Sequence, residues 1–306
     1  MPQLRLGSRG SPLALVQAHQ VRDRLIASGL HADEVTISVF KTTGDRIQDR
    51  PLSEVGGKGL FTKELEEALQ AGHIDAAVHS MKDVATKLPD GLTIAVILER
   101  EDVRDAFISL ACPKLMDLPR GACFGTSSLR RQAQLLRLRP DLQIVGFRGN
   151  VQTRLGKLAD GVAQATLLAA AGLKRLNMTE RITEIIDTDV LLPAAAQGAI
   201  GIEIRAGDTA TAEKIAVLDH QPTHICVVAE RTFLGVLDGS CRTPIAALAV
   251  LIEGRVMFRG EVISPDGKQH VGVVREASAQ AAKRMGADAG LEILSRAGAD
   301  LLGALK

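Results

Sequence analysis

Short apolar runs alternate with amphipathic stretches along most of the chain, a pattern of strands alternating with helices. Ile74-Asp75-Ala76-Ala77-Val78 is too short for a typical helix and suits a strand buried on both faces. It ends abruptly in His79-Ser80-Met81-Lys82-Asp83. Ligands of open α/β sheets sit beyond the carboxyl ends of such strands, so Lys82 and Asp83 are expected to face a cleft. Residues 4–6 read as a first strand, followed by a helix that Ser11 caps, Pro12 opens and Gly29 stops. Val35–Phe40 alternates as a second strand, a helix is expected near residues 62–70, and a strand at 92–98. The connection after the second strand spans about twenty polar, glycine-rich residues, against the usual ~2–6, which predicts a lid over a site.

Clustered charges at Glu99-Arg100-Glu101-Asp102 mark a crossing into a second domain. Its strands are expected at 106–110, 122–125 and 143–147, with a buried apolar segment at 165–171. The run from Leu191 reads as a loop and then a strand ending near Ile204 that rejoins the first sheet. The chain would then cross between two α/β lobes twice, which makes a hinge. His220-Gln221-Pro222-Thr223 interrupts the pattern before a helix at about 224–237. Strands near 245–251, 256–262 and 271–277 and a helix from about 280 to 295 complete a small α+β domain. The expected boundaries are 1–98 with 199–217 for the first lobe, 99–198 for the second, and 218–306 for the last domain.

A chain of 306 residues has room for two or three cores, since single cores stop growing near ~250 residues. Trp and Tyr are absent and Phe numbers seven, so an aliphatic core is expected. A formal net charge of +1 argues against a nucleic-acid binder with a broad basic field, and leaves anion recognition to local clusters. The amino terminus lacks the look of a secretory signal, and no apolar run approaches the ~18 residues of a membrane span; the expectation is a cytoplasmic protein, without a membrane, that acts as a monomer. Cys112, Cys123, Cys226 and Cys241 form no C-x-x-C pair and are expected as free thiols. His220, His224 and Cys226 lack a second ligand pair, so no metal is expected there.

The candidate chemistry lies in the turns. Gly7-Ser8-Arg9-Gly10-Ser11 sets N–H groups, hydroxyls and a guanidinium at a helix amino end, a natural anion cradle. Thr126-Ser127-Ser128-Leu129-Arg130-Arg131 repeats the arrangement with two arginines in the first turn, where they oppose the helix dipole and need a compensating anion. Arg148, Arg154 and Arg175 could join Arg9, Arg130 and Arg131 around one pocket for carboxylates. The small-residue loop Gly239-Ser240-Cys241-Arg242 exposes one thiol beside a guanidinium that favours the nucleophilic thiolate.

Taken in order, Arg9-Gly10-Ser11-Pro12-Leu13-Ala14, Lys41-Thr42-Thr43-Gly44-Asp45, Gly57-Lys58-Gly59-Leu60-Phe61, His79-Ser80-Met81-Lys82-Asp83, Gly125-Thr126-Ser127-Ser128-Leu129-Arg130-Arg131, Arg148-Gly149-Asn150-Val151 and Gly239-Ser240-Cys241-Arg242-Thr243-Pro244 resemble the motifs of the porphobilinogen deaminase (hydroxymethylbilane synthase) family over nearly the whole chain. The resemblance implies two lobes like a periplasmic binding protein and a third domain whose Cys241 holds a dipyrromethane cofactor through a thioether. It implies Asp83 as the catalytic carboxylate. Ser80, Lys82, Asp83, Thr126, Ser127, Ser128, Arg130 and Arg131 would hold the cofactor, and Arg9, Ser11, Arg148, Arg154 and Arg175 the substrate or growing chain. Lys58 and Phe61 would belong to the lid. Glu54 stands where some members carry Lys, and Ala196 where many carry Gly.

Porphobilinogen, with two carboxylates, loses ammonia to give an electron-poor azafulvenium. Such a site needs cations for the acid arms and an anion for the pyrrole. Four substrates would add head to tail before water releases hydroxymethylbilane. The rival reading is a hinged receptor for a small dicarboxylate that catalyses nothing; it needs neither Cys241 nor Asp83.

Overall fold

The computed structural model describes residues 4–46, 59–239, 243–298, 301 and 303. Strand β1 (Leu4–Arg9) leads into α1 (Pro12–Ala27), with Pro12 in the first turn and the Ser11 hydroxyl accepting from the Ala14 N–H. β2 (Val35–Phe40), the one-turn α2 (Thr43–Arg46), α3 (Lys63–Gln70), β3 (Ala76–Ser80) and β4 (Leu92–Ile97) follow. β3 is buried on both faces, as its unbroken apolar run predicts.

The second lobe contains β5 (Asp105–Ser109), β6 (Cys123–Gly125), α4 (Leu129–Leu138), β7 (Gln143–Val145), α5 (Val151–Ala159), β8 (Ala165–Ala169), α6 (Ala170–Arg175) and β9 (Glu184–Ile186). Then come β10 (Ile200–Arg205), α7 (Thr209–Ile215), α8 (Gln221–Val236), β11 (Ile245–Ile252), β12 (Arg255–Ile263), β13 (His270–Ser278) and α9 (Ala282–Arg296). Local acceptors define the next helix starts: the Ser128 hydroxyl accepts at the head of α4 and the Asn150 side-chain carbonyl at the head of α5. The segment 165–171 divides into a strand and the start of α6, because apolar character alone does not distinguish the two. His220 to Thr223 does not precede α8 as an interruption. His220 is the cap, its ring accepting from the Thr223 N–H, and Pro222 fits the first turn. Short β9 and α7 carried no recognised pattern.

The two lobes share one plan. The first sheet has the order β2-β1-β3-β10-β4 and the second β7-β6-β8-β5-β9. In each, the first three strands are parallel and the fourth is antiparallel to both neighbours. That fourth strand is the one entering from the other lobe: β5 after the outward crossover and β10 after the return. The last sheet, β11-β12-β13, is an antiparallel meander packed on α8 and α9.

A buried ion pair fastens this last domain to the hinge. The Arg100 guanidinium donates to both oxygens of Glu230 at 2.6 and 3.0 Å and to the Gln197 carbonyl. Glu230 also accepts from the N–H groups of Ala196 and Ala249. One carboxylate on α8 therefore binds both crossovers and β11, with every interior lone pair employed. Ala196 holds φ +61°, a left-handed conformation that costs a non-glycine residue about 1 kcal/mol, so its departure from Gly is met by strain at the hinge. The cores are mainly aliphatic, yet Phe107, Phe124, Phe147, Phe233 and Phe258 are fully buried within them, two of them meeting edge to face at 5.2 Å.

Candidate active site

The β1–α1 turn sets Arg9 and Ser11 at the carboxyl edge of the first sheet. The neighbouring β3 ends in a single 3-10 turn, Met81–Asp83. Met81 packs against Gly201 so closely that a Cβ there would lie 2.0 Å from the Met81 sulfur, so the glycine on β10 admits the turn. Asp83 keeps 30% of its side chain exposed and stands 3.8 Å from the Arg9 guanidinium. Arg9 in turn lies over the Phe61 ring, 4.2 Å from its centroid. Arg9, Ser11, Phe61, Ser80 and Asp83 line one small cavity of about 60 Å³. The Ser80 hydroxyl, expected to hold the cofactor, is occupied by the Gln17 amide at 2.8 Å. Beneath this turn His79 Nε2 meets Glu203 Oε2 at 2.9 Å, both side chains buried and the other Glu203 oxygen without a partner among the described residues.

Across the cleft, β6 runs into three hydroxyl residues whose oxygens shape the turn. Thr126 accepts from the Ser128 N–H, Ser127 from the Phe147 N–H, and Ser128 from the Arg131 N–H. Arg130 and Arg131 then enter the protein rather than solvent, each 5% exposed. The compensating anion that two cations at a helix start require is supplied by the chain itself: Asp105, at the head of β5, accepts from both guanidiniums at 2.7 Å, one on each oxygen. Burial alone would raise the Asp105 pKa, but the two arginines outweigh it and hold the carboxyl well below its usual range. Their remaining NH1 groups donate to the carbonyls of Leu192 and Leu167, while both buried Nε–H groups have no acceptor among the described residues.

The charges of the two lobes act on one another. Withdrawal from water lowers the Lys82 pKa to about 8, with Asp83 and Asp105 opposing the fall and Arg130 and Arg131 adding to it. Burial likewise brings the Arg154 pKa to about 10, with Arg131, Asp83 and Arg148 as its charged neighbours, and its buried Nε–H has no acceptor among the described residues. Asp83, Lys82, Arg130, Arg131, Arg148 and Arg154 therefore gather around one cleft. Arg175 does not share those neighbours: it donates to the Gly198 carbonyl at the return crossover, and its charged surroundings are Glu101 and Arg24. Cys241, Arg242, Lys58 and Glu54 lie outside the described residues. Asp105, Gln197 and the His79–Glu203 pair were missed in the sequence. Asp105 fell between the charge run at 99–102 read as a domain crossing and the strand expected from 106, and an acid inside an apolar strand is the one signal that marked Glu203.

Elsewhere His220 caps its helix and His224 pairs with Asp219, while burial pushes the Cys226 thiol up to about 11. Cys112, Cys123 and Cys226 are free thiols. No helix among the described residues is long and apolar enough to cross a membrane.

Two α/β lobes joined by paired crossovers, with a third domain locked to the hinge, define a two-lobed α/β protein with a separate α+β domain. Among solved structures the chain is similar to a putative methionine-binding lipoprotein of Bacillus subtilis, with 13% identity, a TM-score of 0.43 and coverage of 71% of this chain and 89% of that one. Sequence comparison is more specific. The family description "Porphobilinogen deaminase, dipyromethane cofactor binding domain" matches residues 4–213, and "Porphobilinogen deaminase, C-terminal domain" matches 224–295. The chain belongs to the porphobilinogen deaminase family. It is 55% identical over 298 residues to the porphobilinogen deaminase of Paracoccus denitrificans, covering 97% of this chain and 95% of the relative. It is 54% identical over 302 residues to the chloroplastic porphobilinogen deaminase of Pisum sativum, covering 96% and 82% respectively.

Proposed function

We propose that this chain is a transferase that condenses four porphobilinogen molecules head to tail on a dipyrromethane primer, releasing ammonia and then hydroxymethylbilane. The observation that carries the reading is Asp83: a partly exposed carboxylate at a strand end, set among buried cations at the junction of the lobes. A receptor for diacids needs the cations and has no use for that anion.

The primer has acetate and propionate arms, and buried guanidinium N–H groups without acceptors are the donors such arms require. Arg130, Arg131 and Arg154 present three of them, so the residues fit the group. Lys82 adds a point charge. The hydroxyls of Thr126, Ser127 and Ser128 act chiefly through the turns they shape, Ser80 contributes through its pairing with Gln17, and Cys241 is the proposed thioether position. When bound, the primer supplies the nucleophilic pyrrole carbon to which substrate is joined.

Arg9, Ser11 and Arg148, with Arg175 nearer the hinge, are proposed to hold substrate or growing chain, and Phe61, stacked on Arg9, to close over them with the loop through Lys58. As the substrate C–N bond breaks, its electron pair leaves with nitrogen and the pyrrole nitrogen feeds charge into the ring. Asp83 beside that N–H stabilises the positive charge, and a fixed carboxylate does so without solvent reorganisation. The domain boundaries proposed are 1–98 with 199–217, 99–198 and 218–306, supported by the crossover strands. We further propose a metal-free monomer in the cytoplasm, where free thiols persist.

The test incubates purified protein with porphobilinogen, follows ammonia and linear tetrapyrrole, and weighs the intact chain. Turnover by protein whose mass exceeds that of the polypeptide by a dipyrromethane supports the proposal. Substrate binding without ammonia release, on a chain of unmodified mass, overturns it in favour of the receptor.

A further inference from the structure

Arg130 and Arg131 are consecutive in a helix, so their side chains leave the axis about 100° apart and do not naturally converge. They converge because Asp105, 1% exposed on the adjoining strand, takes the NH2 group of each on a separate oxygen. Gln197, on the return crossover, donates to the same Asp105 oxygen that Arg131 uses, at 2.9 Å, and to the Val103 carbonyl, which fixes the carboxylate plane. Each guanidinium has five N–H donors and spends one from NH1 and one from NH2, so the buried Nε–H of each, without an acceptor among the described residues, is one of the donors left over. Asp105 also sets the charge. Lys82, Arg130, Arg131, Arg148 and Arg154 against Asp83 and Asp105 leave three positive charges in surplus, which favours incoming carboxylates.

We infer that Asp105 is a positioning residue: it aims the two arginines and trims their charge so that their free edges receive the acid arms of the primer. The inference rests on the proposed function and concerns a residue that touches neither primer nor substrate. Asp105→Asn keeps the volume, but offers an N–H₂ to one arginine. Asp105→Glu keeps the charge and moves it by one methylene.

Both variants are prepared unprimed and primed, the primed fraction is read from intact mass, and the melting temperature is measured for each form. In the wild-type chain priming raises the melting temperature. In both variants that rise falls to less than half and the primed fraction drops at least threefold. A purely structural Asp105 would lower the primed and unprimed melting temperatures together and leave their difference intact, which overturns the inference. Should the Asn variant not fold, the Glu variant decides alone by the same difference. A wild-type chain that never acquires a primer mass contradicts the transferase reading itself, whereas variants that prime like wild type contradict only the role of Asp105.

Discussion

Replacing Asp83 by Asn removes one negative charge and almost no volume. The carboxylate is 30% exposed, so its field acts through a medium of effective dielectric near 20, where unit charges about 4 Å apart interact by about 4 kcal/mol. Allowing for screening and for the hydrogen bond Asn still makes, about 3 kcal/mol of the charge stabilisation disappears, a loss of about 10² in turnover. The fold should be spared. The partner in the wild-type protein is Arg9 at 3.8 Å, a half-exposed pair worth at most about 1 kcal/mol. Single-turnover release of ammonia from primed Asp83→Asn, with urea unfolding in parallel, separates the two effects. Because the charge is needed as the substrate cation develops, kcat should fall while KM moves only a few fold. A variant that folds normally and retains more than about a tenth of wild-type turnover refutes the electrostatic argument.

Cys241→Ser should yield protein with the bare polypeptide mass and no pyrrole-aldehyde colour; a primer mass on that variant would move the attachment elsewhere. His79→Leu strands the buried Glu203 carboxylate and should cost about 3–5 kcal/mol, seen as a lower urea midpoint, with His79→Leu/Glu203→Gln recovering most of it; an unchanged midpoint would contradict the pairing. Lys82 loses its proton near pH 8 in the folded chain, so the fraction of chain that acquires the primer should fall between about pH 7 and 9, and Lys82→Arg should flatten the fall. The sign for stability is opposite. Between about 8 and the ordinary ~10.4 the unfolded chain holds a proton the folded one has shed, so this group makes stability rise with pH there. A pH-independent primed fraction in the wild type would mean that Lys82 stays charged.

What the amino-acid sequence determined by itself is local: the Ser11 cap, the doubly buried β3, the abrupt polar end that carries Lys82 and Asp83, and the three strands of the last domain. Each depends on groups within a few residues of one another, where alternation, a side-chain acceptor or a proline acts directly. The charge partners were decided only by the tertiary structure. Asp105 reaches Arg130 across 25 residues and Glu203 reaches His79 across 124, distances bridged by sheet order and register rather than by any neighbouring pattern. The sequence therefore indicated that Arg130 and Arg131 needed an anion, while the fold determined that half of the answer was internal. The same register separated Arg175 from Asp83 and placed it on the return crossover. Burial explains the difference: an ionised group withdrawn from water must find its counter-charge wherever packing brings one, and packing is a property of the assembled sheets.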